Sequence, residues 1–329
     1  MIESPAPVLE MLWESHEPRA ALGLRFGLPD EEAAARWVAR ALHDHWGVRV
    51  LSCERIVISD HNALAWVGTE SGRLVAKWSV APERFAHLAQ VARLTRWLDG
   101  CGLPVSAPVP ALDGRLQVEL DGASLGLQHE VDAGLLDTGD PGEVRAAGAV
   151  LARLQDALAE YPEAGRIAAG PPRPPADRIT GWLGSEAGHL PAAARDALRG
   201  LVAAAPPGPL PVQLVHRDFR SANVLCARGE VVAVLDFEEV APDHRVVELA
   251  RSATLLGTRF RDWGPVPPGV CSALLAGYRS VRPLTAAEEG WWDALLLWHA
   301  LAMVPPGDDP TGWGAAAAGL IGVAGLPRR

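Results

Sequence analysis

The sequence predicts an α+β fold in two lobes, a small antiparallel β-rich lobe over residues 1–131 and a larger, mainly helical lobe over residues 132–329. Two patterns carry this reading. Between Val48 and Val131, short apolar runs rich in β-branched residues alternate with polar turns. Beyond them, Val144, Ala147, Val150, Leu151, Leu154 and Leu158 recur at helical spacing, and Pro/Gly-rich loops at Gly170–Pro175 and Pro206–Pro211 divide the chain into helical blocks. With 329 residues, of which 49% are hydrophobic and 21% charged, the chain is long and apolar enough for two packed units.

In chain order, a helical extension over about residues 1–47 contains a helix from Asp30 to Trp46, with Asp30 as its N-cap. Strands follow at Val48–Ile58, Ala63–Val67 and Leu74–Val80, with turns at Asp60-His61-Asn62 and Ser71-Gly72, an antiparallel meander. A helix over Pro82–Leu98 stops at Gly100 and Gly102, and a hairpin of Leu116–Leu120 and Ser124–Val131 turns at Asp121-Gly122 and ends the first lobe. The second lobe opens with a helix over Glu143–Ala159. Val212–Val215, Val224-Leu225 and Val231–Leu235 are short continuous apolar strands, expected to be buried. A late helix starts at a capping box, Thr285 to Glu288, and runs into Trp291 and Leu295–Leu297.

Composition excludes several function classes. The formal net charge of −10 has the wrong sign for gripping a phosphate backbone, so no nucleic-acid partner is expected. Cys53, Cys101, Cys226 and Cys271 lie too far apart for a zinc site or a disulfide framework. The longest apolar runs, Ala294–Val304 and Gly314–Leu326, are too short to span a bilayer, and no leader pattern opens the chain, so a reduced, cytoplasmic protein without a membrane partner is expected. Lys77 is the single lysine among 30 basic residues, and Asn62 and Asn223 are the only asparagines. Where composition drifts so strongly toward Arg, the surviving Lys and Asn point to chemistry that Arg, Asp or Ser does not supply.

The stretch His216-Arg217-Asp218-Phe-Arg220-Ser-Ala-Asn223, followed by Leu235-Asp236-Phe237-Glu238, places polar groups between buried strands. Asp218 and Asn223 share one loop; the Asp can face a substrate hydroxyl and the Asn carbonyl a metal, with Asp236 as a second hard oxygen ligand. Singly, Asp218 and Asp236 also suit turn and strand-end caps. Together they outline a magnesium-phosphate site.

This ordered set resembles the catalytic and metal-binding segments of the protein-kinase-like superfamily, and Leu74-Val-Ala-Lys77 resembles the strand whose lysine holds the α- and β-phosphates of ATP. The chain has no glycine-rich loop in the Ile58–Val67 hairpin, reads Asp236-Phe-Glu238 without the following Gly, and runs at once to Val247-Glu248-Leu-Ala250. It therefore resembles the aminoglycoside phosphotransferase and homoserine or choline kinase family, across about residues 50 to 300. Gly102-Leu-Pro104-Val and Leu151-Ala-Arg-Leu154-Gln155 agree with that family. Three positions depart from its pattern: Gln155 stands for a His, Glu248 for an Asp and Arg217 for a Gly. The carboxylate that usually pairs with the strand lysine is also missing, leaving Glu83 or Gln90 as candidates.

The resemblance implies a two-lobed protein-kinase-like fold, joined near Gln128–Val131, with ATP or GTP in the cleft. Ser59, Asn62, Lys77, Gln128, Glu130 and Val131 are then the nucleotide residues, and Asn223 and Asp236 the magnesium ligands. Asp218 is the catalytic base, Arg220 reaches the γ-phosphate and His216 braces the catalytic loop. Glu238, Glu239 and Asp243 would face the acceptor, with Trp291, Trp292 and Trp298 as a wall. The expected partner is a small-molecule hydroxyl acceptor, first a cationic antibiotic such as an aminoglycoside and second a metabolite of the homoserine or choline type. A nucleotide-binding scaffold without catalysis is the reading from another class.

Overall fold

The computed structural model describes residues 6–167 and 170–324, and the chain divides into two compact units, residues 1–132 and 133–329. In the first unit the elements are β1 (Val8–Met11), α1 (Pro18–Phe26), α2 (Glu31–Trp46), β2 (Val50–Ile58), β3 (Asn62–Thr69), β4 (Gly72–Ser79), α3 (Phe85–Gly100), β5 (Val118–Leu120) and β6 (Ala123–His129). The sheet order is β1-β2-β3-β4-β6-β5. All neighbours pair antiparallel except β1, which adds a parallel edge to β2. The extension is therefore not only helical. Val8–Met11 spans four residues, too few to show a strand period in sequence.

Strand alternation sorts the two faces of this sheet. Ala63, Ala65 and Val67 on β3 and Leu74, Ala76 and Trp78 on β4 are buried together with Leu22, Trp37, Val38 and Leu42 of α1 and α2. Trp37 packs on Trp78 with ring centroids 5.5 Å apart. Its indole N–H donates to Asp121 Oδ2 at 2.9 Å, tying α2 to the β5–β6 turn. Lys77 and its cross-strand partner Leu64 alternate onto the opposite face, away from these helices. The Asp30 cap of α2 forms as its sequence dictates, Oδ1 accepting from Ala33 N–H at 2.7 Å.

The second unit contains β7 (Gly134–Leu135), α4 (Pro141–Ala159), α5 (Ala164–Ile167), α6 (Pro175–Ser185), α7 (Ala192–Ala204), β8 (Val212–Val215), β9 (Val224–Ala227), β10 (Glu230–Val234), β11 (Ala241–His244), α8 (Arg245–Leu255), α9 (Pro268–Val281), α10 (Ala286–Ala302) and α11 (Trp313–Ala324). β10, β9 and β7 form a three-stranded sheet and β11 pairs with β8. The three strands expected to be buried throughout are not: Val212 is 46% exposed and Val232 37%, because sheets this small leave one face partly open. The capping box of α10 is present, Thr285 Oγ1 accepting from Glu288 N–H while Glu288 accepts from Thr285 N–H. The apolar run Gly314–Leu326 lies within α11, apart from its last two residues, which fall outside the described ones.

α4 and α9 meet through glycine. A Cβ on Gly148 would collide with the Leu274 carbonyl and lie 2.8 Å from Tyr278 N. On Gly277 it would collide with the Arg145 carbonyl and lie 2.7 Å from its carbon. The two backbones touch, which fixes α4 and hence Gln155, near its C-terminal end.

Candidate active site

β8 carries the chain into the loop His216–Ser221, and the loop is braced from within. His216 is fully buried. Its Nε2 donates to the Leu235 carbonyl at 2.8 Å, and its Nδ1 accepts the Asp218 N–H at 3.2 Å. With one ring nitrogen donating and the other accepting, the ring is neutral, and burial pushes its pKa below the ordinary histidine value. The Phe237 ring packs on it at 4.6 Å. His216 is a strut whose two nitrogens are both occupied.

Asp218 is held on both carboxylate oxygens. Arg220 Nε donates to Oδ1 at 2.9 Å, and Asn223 Nδ2 donates to Oδ2 at 2.7 Å and to the Asp218 carbonyl at 2.9 Å. Two acceptors on one amide nitrogen fix the orientation of Asn223, which turns its Oδ1 away from Asp218. The Asn223 carbonyl accepts from Leu235 N–H at 2.8 Å. Leu235 is thus bonded through N–H to Asn223 and through C=O to His216, and the next residue is Asp236, whose φ of 60° turns the chain sharply. Asp218, Arg220 and Asn223 are brought into one cluster, with Asp236 next in sequence to the Leu235 that is bonded to Asn223. The Arg220 guanidinium lies over the Trp263 ring, 5.2 Å from its centroid.

Among the described residues no group of three or more His, Cys, Asp or Glu is arranged for a metal. Asn223 Oδ1 and Asp236 would supply two hard oxygens of the kind a magnesium ion takes.

Beside Asp218 a cavity of roughly 280 Å³ opens within the second unit, lined in part by Arg178, Arg217, Glu239, Asp243, Arg251 and His299. Asp243 is 6% exposed and receives Arg178 Nη1 on both oxygens, at 2.7 and 3.0 Å. The acceptor carboxylate expected at Asp243 is therefore already matched by an arginine. Glu239 lines the cavity and is exposed, whereas Glu238 is half-buried and not among its lining residues. Trp291, Trp292 and Trp298 are 7%, 7% and 8% exposed; Trp298 lies under the Arg178 guanidinium at 5.2 Å, and none of the three lines the cavity. They are core, and α10 presents His299 in their place.

Under the loop, Glu248 is 3% exposed. It accepts the Arg217 N–H at 2.7 Å and Gln155 Nε2 at 2.6 Å. Burial pushes its carboxyl up to about 7, while those two donors pull the other way. Gln155 Oε1 accepts the Tyr278 hydroxyl at 2.6 Å and Arg282 Nη2 at 2.5 Å.

In the first unit, Ser59 N–H and Oγ donate to the Asn62 carbonyl at 2.8 and 3.2 Å, closing the β2–β3 turn. Gln128 Nε2 donates to the Ser106 carbonyl at 3.1 Å, and Glu130 pairs with Arg73. Val131 is half-buried just after β6. Lys77 pairs in register with Leu64 and Gly126. Glu83 is exposed in the turn before α3, and Gln90 Oε1 is buried without a hydrogen bond.

Residues 53–284 match the family model described as the phosphotransferase enzyme family. The chain belongs to this family. It is 30% identical over 204 residues to a homoserine kinase of Rhizobium johnstonii, a match covering 59% of this chain and 60% of that protein. With the homoserine kinase of Neisseria meningitidis it shares 28% over 245 residues, covering 70% and 74% of the two chains. Among solved structures, an amicoumacin kinase in complex with AMP-PNP and Ca²⁺ superposes with a TM-score of 0.57 at 16% identity, over 89% of this chain and 94% of that one. A macrolide 2′-phosphotransferase from Brachybacterium faecium gives 0.56 at 18% identity, over 91% and 99%. These likenesses establish the kinase-like α+β fold expected from the sequence.

Proposed function

We propose that the protein is an ATP- and magnesium-dependent kinase that phosphorylates a hydroxyl of a small molecule. The observation that carries this reading is Asp218, its carboxylate oriented by Arg220 and Asn223 at the wall of a cavity. Such a carboxylate accepts the proton of an acceptor hydroxyl as that oxygen attacks phosphorus. The Asn223 Oδ1 and Asp236 fit a magnesium ion, which would offset phosphate charge during transfer. Arg220, tethered to Asp218, would meet the transferred phosphoryl group, and Lys77 with Ser59, Asn62 and the Gln128–Val131 segment would contact the nucleotide. The Gln128 and Glu130 side chains are engaged with the Ser106 carbonyl and with Arg73. Positioning and electrostatics supply most of the rate in such a site.

A small metabolite suits the cavity better than a polycationic antibiotic. At roughly 280 Å³ it lies just below the range of about 300 to 1,000 Å³ common for ligand pockets, and Arg178 already neutralises Asp243. The sequence relatives quoted above are homoserine kinases. The test is ADP release with magnesium and ATP across a panel of hydroxylated amino acids, hydroxy acids, amino alcohols and aminoglycosides. Turnover with at least one member is expected; ATP binding without ADP release across such a panel favours the catalytically silent scaffold.

A further inference from the structure

We propose that Arg217 and Arg251 form an anion-recognition subsite, and that the acceptor is a small alcohol bearing a carboxylate, its hydroxyl directed to Asp218. This rests on the phosphotransfer reading and names its substrate class.

Charge matching around the cavity is the first argument. Asp218 is engaged by Arg220 and Asn223, Asp243 by Arg178, and Glu248 by Gln155 and the Arg217 amide. Among the described residues the exposed Arg217 and Arg251 side chains make no hydrogen bond or ion pair with a carboxylate, although Asp218 acts on Arg251 through space and Glu239 also lines the cavity. Two uncommitted guanidinium groups in one small cavity match a carboxylate by paired, charge-assisted hydrogen bonds.

Backbone geometry is the second. Arg217 sits at φ 68°, in the left-handed region that disfavours any residue with a Cβ. A glycine would occupy this position without strain, so the side chain is retained against the local preference, as is found where a side chain serves a site.

The field inside the cavity is the third. His299 is 7% exposed, and its Nε2 is buried without a hydrogen bond. Burial, with Arg251 and Arg178 adding to it, pushes its pKa down to about 3. The Arg251 guanidinium, open to solvent on one side, is likewise lowered by desolvation against the cavity walls and by Arg217, Arg220 and Arg178, while Asp218 opposes the shift. The lining also carries the carboxylates of Asp218, Glu239, Asp243 and Glu248, but at Arg251 the arginines repel one another, with a neutral imidazole in the cavity wall. An anion relieves that repulsion; a second cation adds to it.

The same chemistry would serve a terminal phosphate of the nucleotide, and the experiment separates the two sources. Homoserine and glycerate are each compared with the amide that lacks the carboxylate, cationic for homoserine and uncharged for glycerate, and with hygromycin B, in wild type, Arg217→Gly and Arg251→Gln. Steady-state ADP release and calorimetric binding are both measured. Arg217→Gly removes the guanidinium and relieves the left-handed strain, so a loss in that variant is not a folding defect. The acid should exceed its amide by roughly tenfold or more in kcat/KM, and each variant should raise the acceptor KM by a similar factor with little change in the KM for ATP. A rise in the KM for ATP alone assigns the arginines to nucleotide and overturns the proposal. Turnover of amides or of hygromycin B in preference to the acids also overturns it, while leaving the phosphotransfer reading in place. Arginine-dependent binding of an acid with no ADP release from any compound keeps the subsite and sinks phosphotransfer. Failure of both acids to bind removes the subsite.

Discussion

Gln155 Nε2 lies 2.6 Å from Glu248 Oε2, a bond between two residues 93 positions apart that both depart from the pattern the sequence resembles. The second Glu248 oxygen holds the Arg217 amide, so α4 supports the His216–Ser221 loop through α8. A neutral Gln suits this place because its oxygen is taken by Tyr278 and Arg282, which leaves its amide nitrogen as the donor facing Glu248.

This relationship sets a pH dependence. Glu248 is pushed up to about 7 from an ordinary value of 4.5, chiefly by burial. Between those values the folded protein keeps a proton that the unfolded chain has released, so the Glu248 contribution to stability falls as pH rises through that window and is constant on either side. Glu248→Gln removes the titration. Urea midpoints for wild type and variant across the window should show wild type losing ground to the variant as pH increases. A difference that does not change with pH sinks the assignment.

Much of the cluster was legible because its members are close in sequence. Asp218 and Asn223 are five residues apart in one loop and Asp236 ends the next hairpin, so local strand patterning sufficed to bring them together. Arg178, Arg251 and His299 were not legible. They arrive from α6, α8 and α10, and only the packing of those helices turns three isolated basic residues into one cavity wall. The acidic run at Glu238–Asp243 misled for a related reason: it reads as a negative acceptor face until Arg178, 65 residues upstream, is found on Asp243. The tryptophans of α10 follow ordinary burial preference.

The α4–α9 contact gives a stability prediction whose sign is informative. Gly→Ala within a helix ordinarily stabilises by about 0.5 to 1 kcal/mol. At Gly148 or Gly277 the added methyl meets the opposite backbone, which cannot swing aside as a flexible side chain can. Each substitution should instead destabilise by about 1 to 3 kcal/mol or more. Thermal unfolding measures it, and a raised Tm in either variant contradicts the helix crossing.

Asp218→Asn tests the proposed base. An Asn keeps an oxygen acceptor for Arg220 or Asn223, so the variant should fold and bind ATP. It no longer accepts the hydroxyl proton, and turnover should fall by about 100- to 10,000-fold. Near-normal ADP release, once an acceptor is in hand, removes Asp218 from the chemistry.

Lys77 is the last test, and its uniqueness makes it a clean one. It stands on β4 between Leu64 and Gly126, on the sheet face opposite α1 and α2, so substitution leaves the buried Trp37–Trp78 packing untouched. If its ammonium holds nucleotide phosphate, Lys77→Ala should raise the KM for ATP and lower kcat. Lys77→Arg should not rescue it, because a planar guanidinium does not reproduce a compact point charge at the same depth. Chemical modification gives an independent readout: with one lysine in the chain, acetylation of side-chain amines has a single target. Magnesium-ATP should slow the loss of activity and the appearance of acetyl-Lys77 by mass spectrometry to the same extent. Equal acetylation rates with and without nucleotide, together with unchanged ATP kinetics in both variants, would show that this lysine serves the sheet surface and not the phosphates.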